Sequence, residues 1–272
     1  MKNFLIIFSS ALVLVNSSVS YGDAIISYSG EGSDQTGSQT AYVQDGRVLI
    51  KDAGDANTDI VFEPASATMY VLDHSKKTAM RINEQAIDNF AGQASGMASI
   101  IQQQLAAQMQ NMSAEEQAQM QELMGGFGLS GMTEQATPSA PTLQQTGNAE
   151  YGGIACSVNN VIQDGQIIAN VCFSQGNNIG ISDEDYQTLV GMQNFTFKMA
   201  SKAQQFSGML GGNVPAFGDI ETDNLIIQGT NSTGESNSMN IEQVSNESIP
   251  AGTTALPTGY AETQLPSLSD LM

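Results

Sequence analysis

The sequence predicts an α+β fold, in which an antiparallel β-sheet is covered by two helical segments. Two Asp-Gly dipeptides, Asp45-Gly46 and Asp164-Gly165, each lie between runs of β-type residues and indicate hairpin turns. Each hairpin region is followed by a stretch of helical composition, so the chain contains two β–α blocks in succession. With 272 residues, 40% of them hydrophobic, the chain can bury a sizeable core, and we predict a single domain over residues 23–272.

Six short runs of β-type residues, separated by turn residues, make up the first block. In chain order, the predicted strands are Ala24–Ser29, Thr40–Gln44, Arg47–Lys51, Asp59–Phe62, Thr68–Asp73 and Thr78–Asn83. The runs Val48-Leu49-Ile50 and Met69-Tyr70-Val71-Leu72 are apolar at successive positions. Because successive strand residues point to opposite faces, we expect both faces of this part of the sheet to be covered.

The residues from Glu84 to about Met124 predict the first helical segment, because they contain no proline and are rich in Ala, Gln and Met. Two arrangements fit this composition, one long helix or two helices broken near residues 92–96. Residues from about 125 to 149, which include Pro138 and Pro141, predict a flexible linker between the two blocks.

The second block repeats the order of the first. Its predicted hairpin consists of Tyr151–Gln163 and Gln166–Ser174. Ser182, followed three residues later by Asp185, predicts the start of a second helix that runs to about Leu210. Three predicted elements complete the chain, two strands and an extended tail: Asn224–Gly229, Ser238–Val244 and Ile249–Met272.

Residues 1–22 have the three regions of a secretory signal peptide. Lys2 supplies the positive start, Phe4–Val15 is a short apolar run, and small residues follow, so cleavage after Ser20 or Gly22 fits. The run is too short to span a bilayer, and the sequence has no later apolar stretch that is long enough. We therefore predict an exported, soluble protein of the periplasm without a transmembrane segment.

Cys156 and Cys172 are the only cysteines, and they flank the second Asp-Gly turn. An exported chain with one such pair predicts a cross-strand disulfide. A three-residue loop or a bulge would set the two cysteines directly opposite each other. A redox-active pair is less well supported, since the C-x-x-C spacing and a nearby cation are both missing.

The charge of the chain excludes some classes of partner. Eight Lys and Arg against 28 Asp and Glu give a formal net charge of −20. No Lys, Arg or His occurs between Arg81 and Lys198, or after Lys202, so sequence neighbours cannot form a basic patch. We therefore expect no binding to nucleic acid.

The sequence offers little for catalysis or for metal binding, and we predict that the protein is not an enzyme and has no cofactor. The only histidine, His74, lies in a predicted turn, where a solvated side chain is the better interpretation than a catalytic base. The start of a calcium loop, Asp55-x-Asn57-x-Asp59, lacks the Gly and the bidentate Glu of such loops, which favours a polar turn.

Six methionines in and just after the first helical segment allow three interpretations. The residues concerned are Met97, Met109, Met112, Met120, Met124 and Met132. Thioethers at this spacing could bind Cu(I), with Met109-x-x-Met112 as the centre of the site. They could equally be adaptable core residues, or a lid over an apolar ligand or partner, because methionine repacks around irregular apolar shapes.

Several segments of the chain together resemble the DUF4412 domain of exported bacterial proteins. They are Arg47–Lys51, Met69–Asp73, Lys76–Arg81, the Gln-rich helix, Cys156, the Asp164-Gly165 turn, Cys172 and Ile181–Tyr186. The order of elements is also similar to the outer-membrane lipoprotein carriers (LolA/LolB-like). That architecture implies a strongly curved antiparallel sheet, a half-barrel, which wraps apolar helices and accepts acyl chains. If the resemblance holds, the apolar lining is expected among Val48, Ile50, Val61, Met69, Val71, Ile82, Met109, Met112, Met192, Phe195 and Met199.

Three hypotheses for function follow. The first is a non-catalytic periplasmic carrier or sensor for an apolar ligand, such as an acyl chain or a lipoprotein. The second is a structural or interaction protein of the envelope, with a fully packed core and a protein partner but no ligand. The third is a Met-rich Cu(I) binder.

Overall fold

The structure is a computed structural model that describes residues 23–31, 36–53, 55–109, 139–210, 220, 222–231 and 238–267. The described residues form one large, curved and open β-sheet of twelve strands with few helices. The strands are β1 Ala24–Glu31, β2 Thr36–Gln44, β3 Arg47–Lys51, β4 Thr58–Glu63, β5 Thr68–Asp73, β6 Thr78–Ile82, β7 Thr142–Tyr151, β8 Ile154–Gln163, β9 Gln166–Ser174, β10 Leu225–Asn231, β11 Ser238–Ser245 and β12 Ala261–Gln264.

The two β–α blocks are two halves of the same sheet. The strand order is β12-β6-β5-β4-β3-β2-β1-β11-β10-β9-β8-β7. All neighbouring strands are antiparallel except β12, which pairs in parallel with β6. The halves join where β11 pairs with β1, for example Ile26 with Val244. The antiparallel sheet predicted from the sequence is thus confirmed.

The two predicted hairpin turns are present. Asp45 and Gly46 have φ angles of 52° and 66°, and Asp164 and Gly165 have 51° and 78°. Positive φ at both central residues is the conformation of a type I′ turn, whose twist matches that of the flanking strands. Asp and Gly adopt it at little cost, which is why a dipeptide was enough to locate each turn.

The helices of the described residues are α1 Glu84–Met109, α2 Gly176–Ile179 and α3 Asp183–Leu210. Of the two arrangements that fitted the first helical segment, the structure has one helix that continues through residues 92–96. The hydroxyl of Ser182 accepts a hydrogen bond from the Asp185 amide (3.1 Å) and donates one to the Asp185 carboxylate (2.7 Å), so the predicted start of this helix is confirmed, with Ser182 as its N-cap. Residues 1–22, predicted to be a signal peptide, and the helix expected over 110–124 lie outside the described residues.

The predicted linker is wrong over residues 142–149, because this stretch belongs to β7 and pairs with β8. Nearly all of β7 is exposed. Without a buried face, its sequence has no apolar–polar alternation, and its Thr, Gln and Asn residues look like those of a loop. Backbone pairing with β8, which the sequence pattern does not reveal, decides the structure here. Residues 139–141 have no regular secondary structure, and residues 125–138 of the predicted linker lie outside the described part of the chain.

Both faces of the first half of the sheet are covered, as predicted. On the face toward α3, which we call the inner face, Val48 and Phe62 are buried in a cluster with Leu189 of the helix. On the opposite, outer face, Leu49 and Leu72 pack with the side chains of the tail. The tail forms turns at residues 251–255 and 258–259, supplies Leu256 and Tyr260 to this outer layer, and then joins the edge of the sheet as β12 beside β6.

The second half of the sheet curls back toward β11. The turn between β7 and β8 approaches β11 so closely that a Cβ atom on Gly152 would lie 2.7 Å from the backbone oxygen of Ile241. Gly152 also has a φ of 57°, so glycine is required there both for space and for conformation. This contact brings the turn against the main core, where Ile154 and Cys156 are buried.

The predicted disulfide joins Cys156 of β8 to Cys172 of β9, with a Cα–Cα distance of 5.5 Å. The two residues are not directly opposite each other. A bulge near Val161 shifts the register, so that Cys172 faces Val158 instead. The register of the turn alone would set Cys156 opposite Phe173 and leave the two cysteines on different faces of the sheet. The bulge moves them onto the same face, two positions out of direct opposition, so the bond runs diagonally across the two strands.

Candidate binding groove

An apolar groove of 590 Å³ lies between the end of β4 and the middle of α3. We call it the Phe195 groove. Its walls come from the turn after β4, from one side of α3 and from a residue that follows the helix: Phe62, Pro64, Ala67, Gly191, Asn194, Phe195, Phe197, Lys198 and Ile220.

The groove is built around a pair of aromatic rings. Phe62 of β4 and Phe195 of α3 have ring centroids 5.2 Å apart, with planes tilted by 41°, and both are buried. Such a pair holds helix and sheet together through apolar contact and ring electrostatics. After Phe62, a short 3-10 turn over Pro64–Ser66 follows the strand, and Pro64 forms part of the groove wall opposite the helix.

A glycine in α3 keeps the groove wide. Gly191 faces Pro64, and a Cβ atom at this position would lie 3.9 Å from the Cβ of the proline, which is ordinary van der Waals contact. A larger side chain at residue 191 would therefore extend into the groove without a clash at its base. This makes Gly191 a natural position for a substitution that fills the groove.

Lys198 is the one cation among the described residues that line the groove. The Lys198 ammonium lies 2.8 Å from Glu84 of α1, and the same carboxylate is 3.0 Å from Lys202. Lys202 also pairs with Asp88. Hydrogen bonds from Lys198 and Lys202 lower the pKa of Glu84, and hydrogen bonds to Asp88 and Glu84 raise the pKa of Lys202. These ion pairs connect the start of α1 to α3, although exposed pairs of this kind contribute little to stability.

Most of the predicted lining residues pack in the core on the inner face, and of the described ones only Phe195 lines the groove. Val48 is fully buried, and Ile50, Met69, Met192 and Met199 are partly buried against the main cluster. Ile82 pairs with Met69, and strand alternation places Val71 on the same face as Met69.

Val61 does not share the face of the other predicted lining residues of the sheet. It lies on the outer face of the sheet with Leu49 and Leu72, away from α3. A run of consecutive apolar residues gives no indication of which side chain points to which layer, so only the tertiary structure separates Val61 from its neighbours. Met109 is the last described residue of α1, and Met112 lies outside the described residues.

Sequence reasoning missed most of the groove, including Phe62, Gly191, Phe197 and Lys198. The spacing of Phe195, Phe197 and Lys198 on a predicted helix was visible, but nothing in the sequence placed that helix against the end of β4. The interaction joins segments that are distant along the chain, and its register follows from the packing of the whole inner face.

The two polar motifs considered in the sequence have structural partners. The His74 ring contacts Asp59 through Nε2 (2.9 Å) and the Tyr260 hydroxyl through Nδ1 (2.6 Å), so it connects the tail to the sheet. Asp55 accepts hydrogen bonds from the Asn57 amide (2.8 Å) and from a neighbouring threonine, as expected for a polar turn. Among the described residues, no group of three or more His, Cys, Asp or Glu side chains is placed to hold a metal ion.

Known proteins give little guidance for this chain. No protein family and no curated protein matches its sequence. Among solved structures, the chain is similar to the crystal structure of an uncharacterized conserved protein from Thermus thermophilus, with a TM-score of 0.39 and 5% sequence identity over 90% of this chain and 91% of that one. A likeness this distant carries no information about function. Within the described residues, no helix has the length and apolar character needed to cross a membrane.

Proposed function

We propose that the protein is an exported, non-catalytic carrier of the periplasm that holds one acyl chain, free or attached to a lipoprotein, in the Phe195 groove. In this proposal residues 1–22 are a cleaved signal peptide, and the curved sheet with its inner helix serves as a LolA-like carrier scaffold. The observation that carries the proposal is an apolar groove whose described lining includes a single cation, in a strongly acidic chain.

The size and composition of the groove suit such a ligand. Its 590 Å³ falls within the roughly 300–1,000 Å³ typical of small-molecule sites. Phe62, Phe195, Phe197 and Ile220 offer apolar surface to hydrocarbon, and each buried methylene contributes about 0.8 kcal/mol. The groove has no charge other than that of Lys198 among its described lining residues.

Lys198 is suited to an anionic end group. With a net charge of −20, the protein as a whole repels anions, so a carboxylate or phosphate needs a local positive charge. Lys198 pairs with Glu84, which also binds Lys202. If Lys198 turns toward a ligand, Glu84 therefore keeps a partner, and the rearrangement does not leave an unpaired carboxylate.

The second candidate is an envelope interaction protein without a ligand. It is favoured by the burial of the inner-face core, in which Val48, Val43 and Ile227 are fully buried and most of the residues expected to line a cavity pack against one another. In this case the groove would be a depression of the surface that binds no ligand, and a partner protein would bind elsewhere. The Cu(I) hypothesis stays a prediction, since Met112 lies outside the described residues.

The test begins with native mass spectrometry of the mature protein purified from its own periplasm, before and after organic extraction. An adduct with the mass of an acyl chain or a lipid, lost on extraction, supports the proposal. The extracted protein is then titrated with a dansyl-labelled fatty acid. If no adduct is found and the fatty acid does not bind, the carrier proposal is overturned in favour of the second candidate.

Two variants locate the site. Gly191→Leu fills the groove and is expected to weaken fatty-acid binding by about tenfold or more. Thr196→Leu is the matched control, because it adds the same side chain to an exposed position of the same helix. Lys198→Gln is expected to weaken binding of the fatty acid but not of its methyl ester. Binding that is equal in Gly191→Leu and Thr196→Leu would place the ligand elsewhere.

A further inference from the structure

A second cleft of 590 Å³ lies on the sheet at the β7 edge, separate from the Phe195 groove. Six carboxamide side chains from four parts of the chain line it: Gln145, Asn148, Asn159, Gln175, Asn178 and Asn224. The rest of the lining consists of Ser157, Thr222, Cys156 and several apolar residues. None of the described residues that line the cleft is charged. In a chain with 28 Asp and Glu, a cleft rich in amides and free of carboxylates is a distinct chemical environment.

A β-bulge in β7 directs two of these amides into the cleft. Gln145 pairs with Asn159 and Asn148 pairs with Ser157, so residues three apart in β7 oppose residues two apart in β8. Without the bulge, Gln145 and Asn148 would point to opposite faces of the sheet; with it, they point to the same one. The hydroxyl of Thr146 holds the bulge by donating to the backbone oxygen of Val158 (3.3 Å).

The facing wall is fixed by α3. The Asn194 side chain donates to the backbone oxygen of Thr222 (2.9 Å), and the Gln193 side chain donates to that of Asn224 (3.0 Å). Gln193 also accepts from the amide of Ile226 (2.8 Å). These bonds attach the wall to a long helix. With the disulfide fixing β8 to β9, the cleft is held in shape before any ligand arrives.

Several of the amides have unused hydrogen-bonding groups. Within the part of the chain that the structure describes, no protein partner is found for the side chains of Gln145, Gln175, Asn178 and Asn224. Each carboxamide can donate and accept, as can each hydroxyl group of a sugar. Leu143, which is 41% exposed, supplies apolar surface for the C–H face of a sugar ring, whereas Phe173, which also lines the cleft, is only 7% exposed.

We infer that this cleft, called the amide cleft, binds a neutral oligosaccharide. The absence of charge among the described lining residues disfavours ionic ligands, which would need a counter-charge when desolvated. An extended peptide would be bound through backbone groups along the free edge of β7, whereas the amides lie on the face of the sheet. The inference is independent of the acyl-chain proposal, because the residues of the two sites do not overlap.

The test uses the oxidised full-length mature protein and a defined set of probes, namely maltotetraose, cellotetraose, chitotetraose and one acidic tetrasaccharide. Saturation-transfer NMR detects binding, and calorimetry measures affinity. Binding of at least one neutral probe, with the acidic one weaker, supports the inference. Failure of every neutral probe to bind overturns it.

Variants then place the site. The double variant Gln145→Ala and Asn148→Ala is expected to weaken binding of the neutral probe by about tenfold. Gln144→Ala is the control, since Gln144 is an exposed neighbour in β7 whose side chain points to the other face. Equal affinity in the double variant and the control would overturn the inference. A polar peptide that binds in place of the sugars and survives the double variant would assign the β7 edge to peptides. Gly191→Leu, which tests the carrier proposal, is expected to leave sugar binding unchanged.

Discussion

Removing the Cys156–Cys172 cross-link is expected to lower the free energy of unfolding by about 3 kcal/mol. The two cysteines are 16 residues apart, and the chain-entropy relation for a loop of that length gives about 3 kcal/mol at 25 °C. The reason is that the bond restricts the unfolded chain far more than the folded one, in which β8 and β9 already pair. The folded structure should therefore change little when the bond is absent.

Two perturbations separate the cross-link from side-chain packing. One is reduction of the wild-type protein, which keeps both sulfur atoms in place. The other is the double variant Cys156→Ala and Cys172→Ala, which removes them from positions that are 6% and 0% exposed. Guanidinium denaturation of both forms, compared with the oxidised protein, measures the loss. Equal losses near the expected value assign the effect to the cross-link, and a larger loss in the alanine variant measures the packing contribution.

The denaturation slope gives a further check. Without the bond the unfolded chain is less compact, so the slope should increase in both perturbed forms. Losses close to zero in both, with an unchanged slope, would refute the reasoning, because they would mean that the bond hardly restricts the unfolded chain.

Three more predictions concern local features of the fold. Gly153→Ala is expected to cost about 1 kcal/mol for its left-handed backbone alone, since φ is 79° and its Cβ would meet nothing within 4 Å. Gly152→Ala should lower the free energy of unfolding, measured by denaturant titration, by roughly 2 kcal/mol more than Gly153→Ala does, because its Cβ would press on β11. Equal losses in the two variants would contradict the close contact. Burial raises the pKa of Tyr28 to about 12, above its unfolded value near 10, so stability should fall as the pH rises from about 10 to about 12. Over that pH range, the free energy of unfolding of Tyr28→Phe should fall less than that of the wild-type protein, by a difference of at most about 2 kcal/mol. An identical pH profile of the two proteins would argue against the raised pKa. Tyr260→Phe removes the hydrogen bond to His74 and should speed amide exchange in β12 while exchange in β8 and β9 stays the same; unchanged exchange in β12 would show that this bond does not hold the tail.

Elements with a local cause were predictable from the sequence. Asp45-Gly46 and Asp164-Gly165 form their turns because the two residues tolerate positive φ. Ser182 and Asp185 start α3 because their side chains satisfy groups only three residues away. The disulfide was predictable for a related reason, since the turn between the cysteines brings them together.

Elements without a local cause were missed. Strand β7 has no buried face, so its residues from 142 onward resemble a loop until β8 is there to pair with them. The bulge at Gln145, which orients the amide cleft, has no sequence signal either. The Phe195 groove depends on how α3 lies against β4, and the resemblance to lipoprotein carriers suggested a type of site but selected only Phe195 among the residues that form it.

The sequence by itself determined the acidic character, the turns, the helix cap, the cysteine pair and the alternation of β and α segments. Each of these depends on interactions within a few residues or on composition. The tertiary structure alone decided the pairing of β1 with β11, the face to which Val61 belongs and the residues that meet in each cleft. Backbone hydrogen bonds form with any strand sequence in register, so pairing partners are selected by the packing of the whole chain and not by local residue patterns.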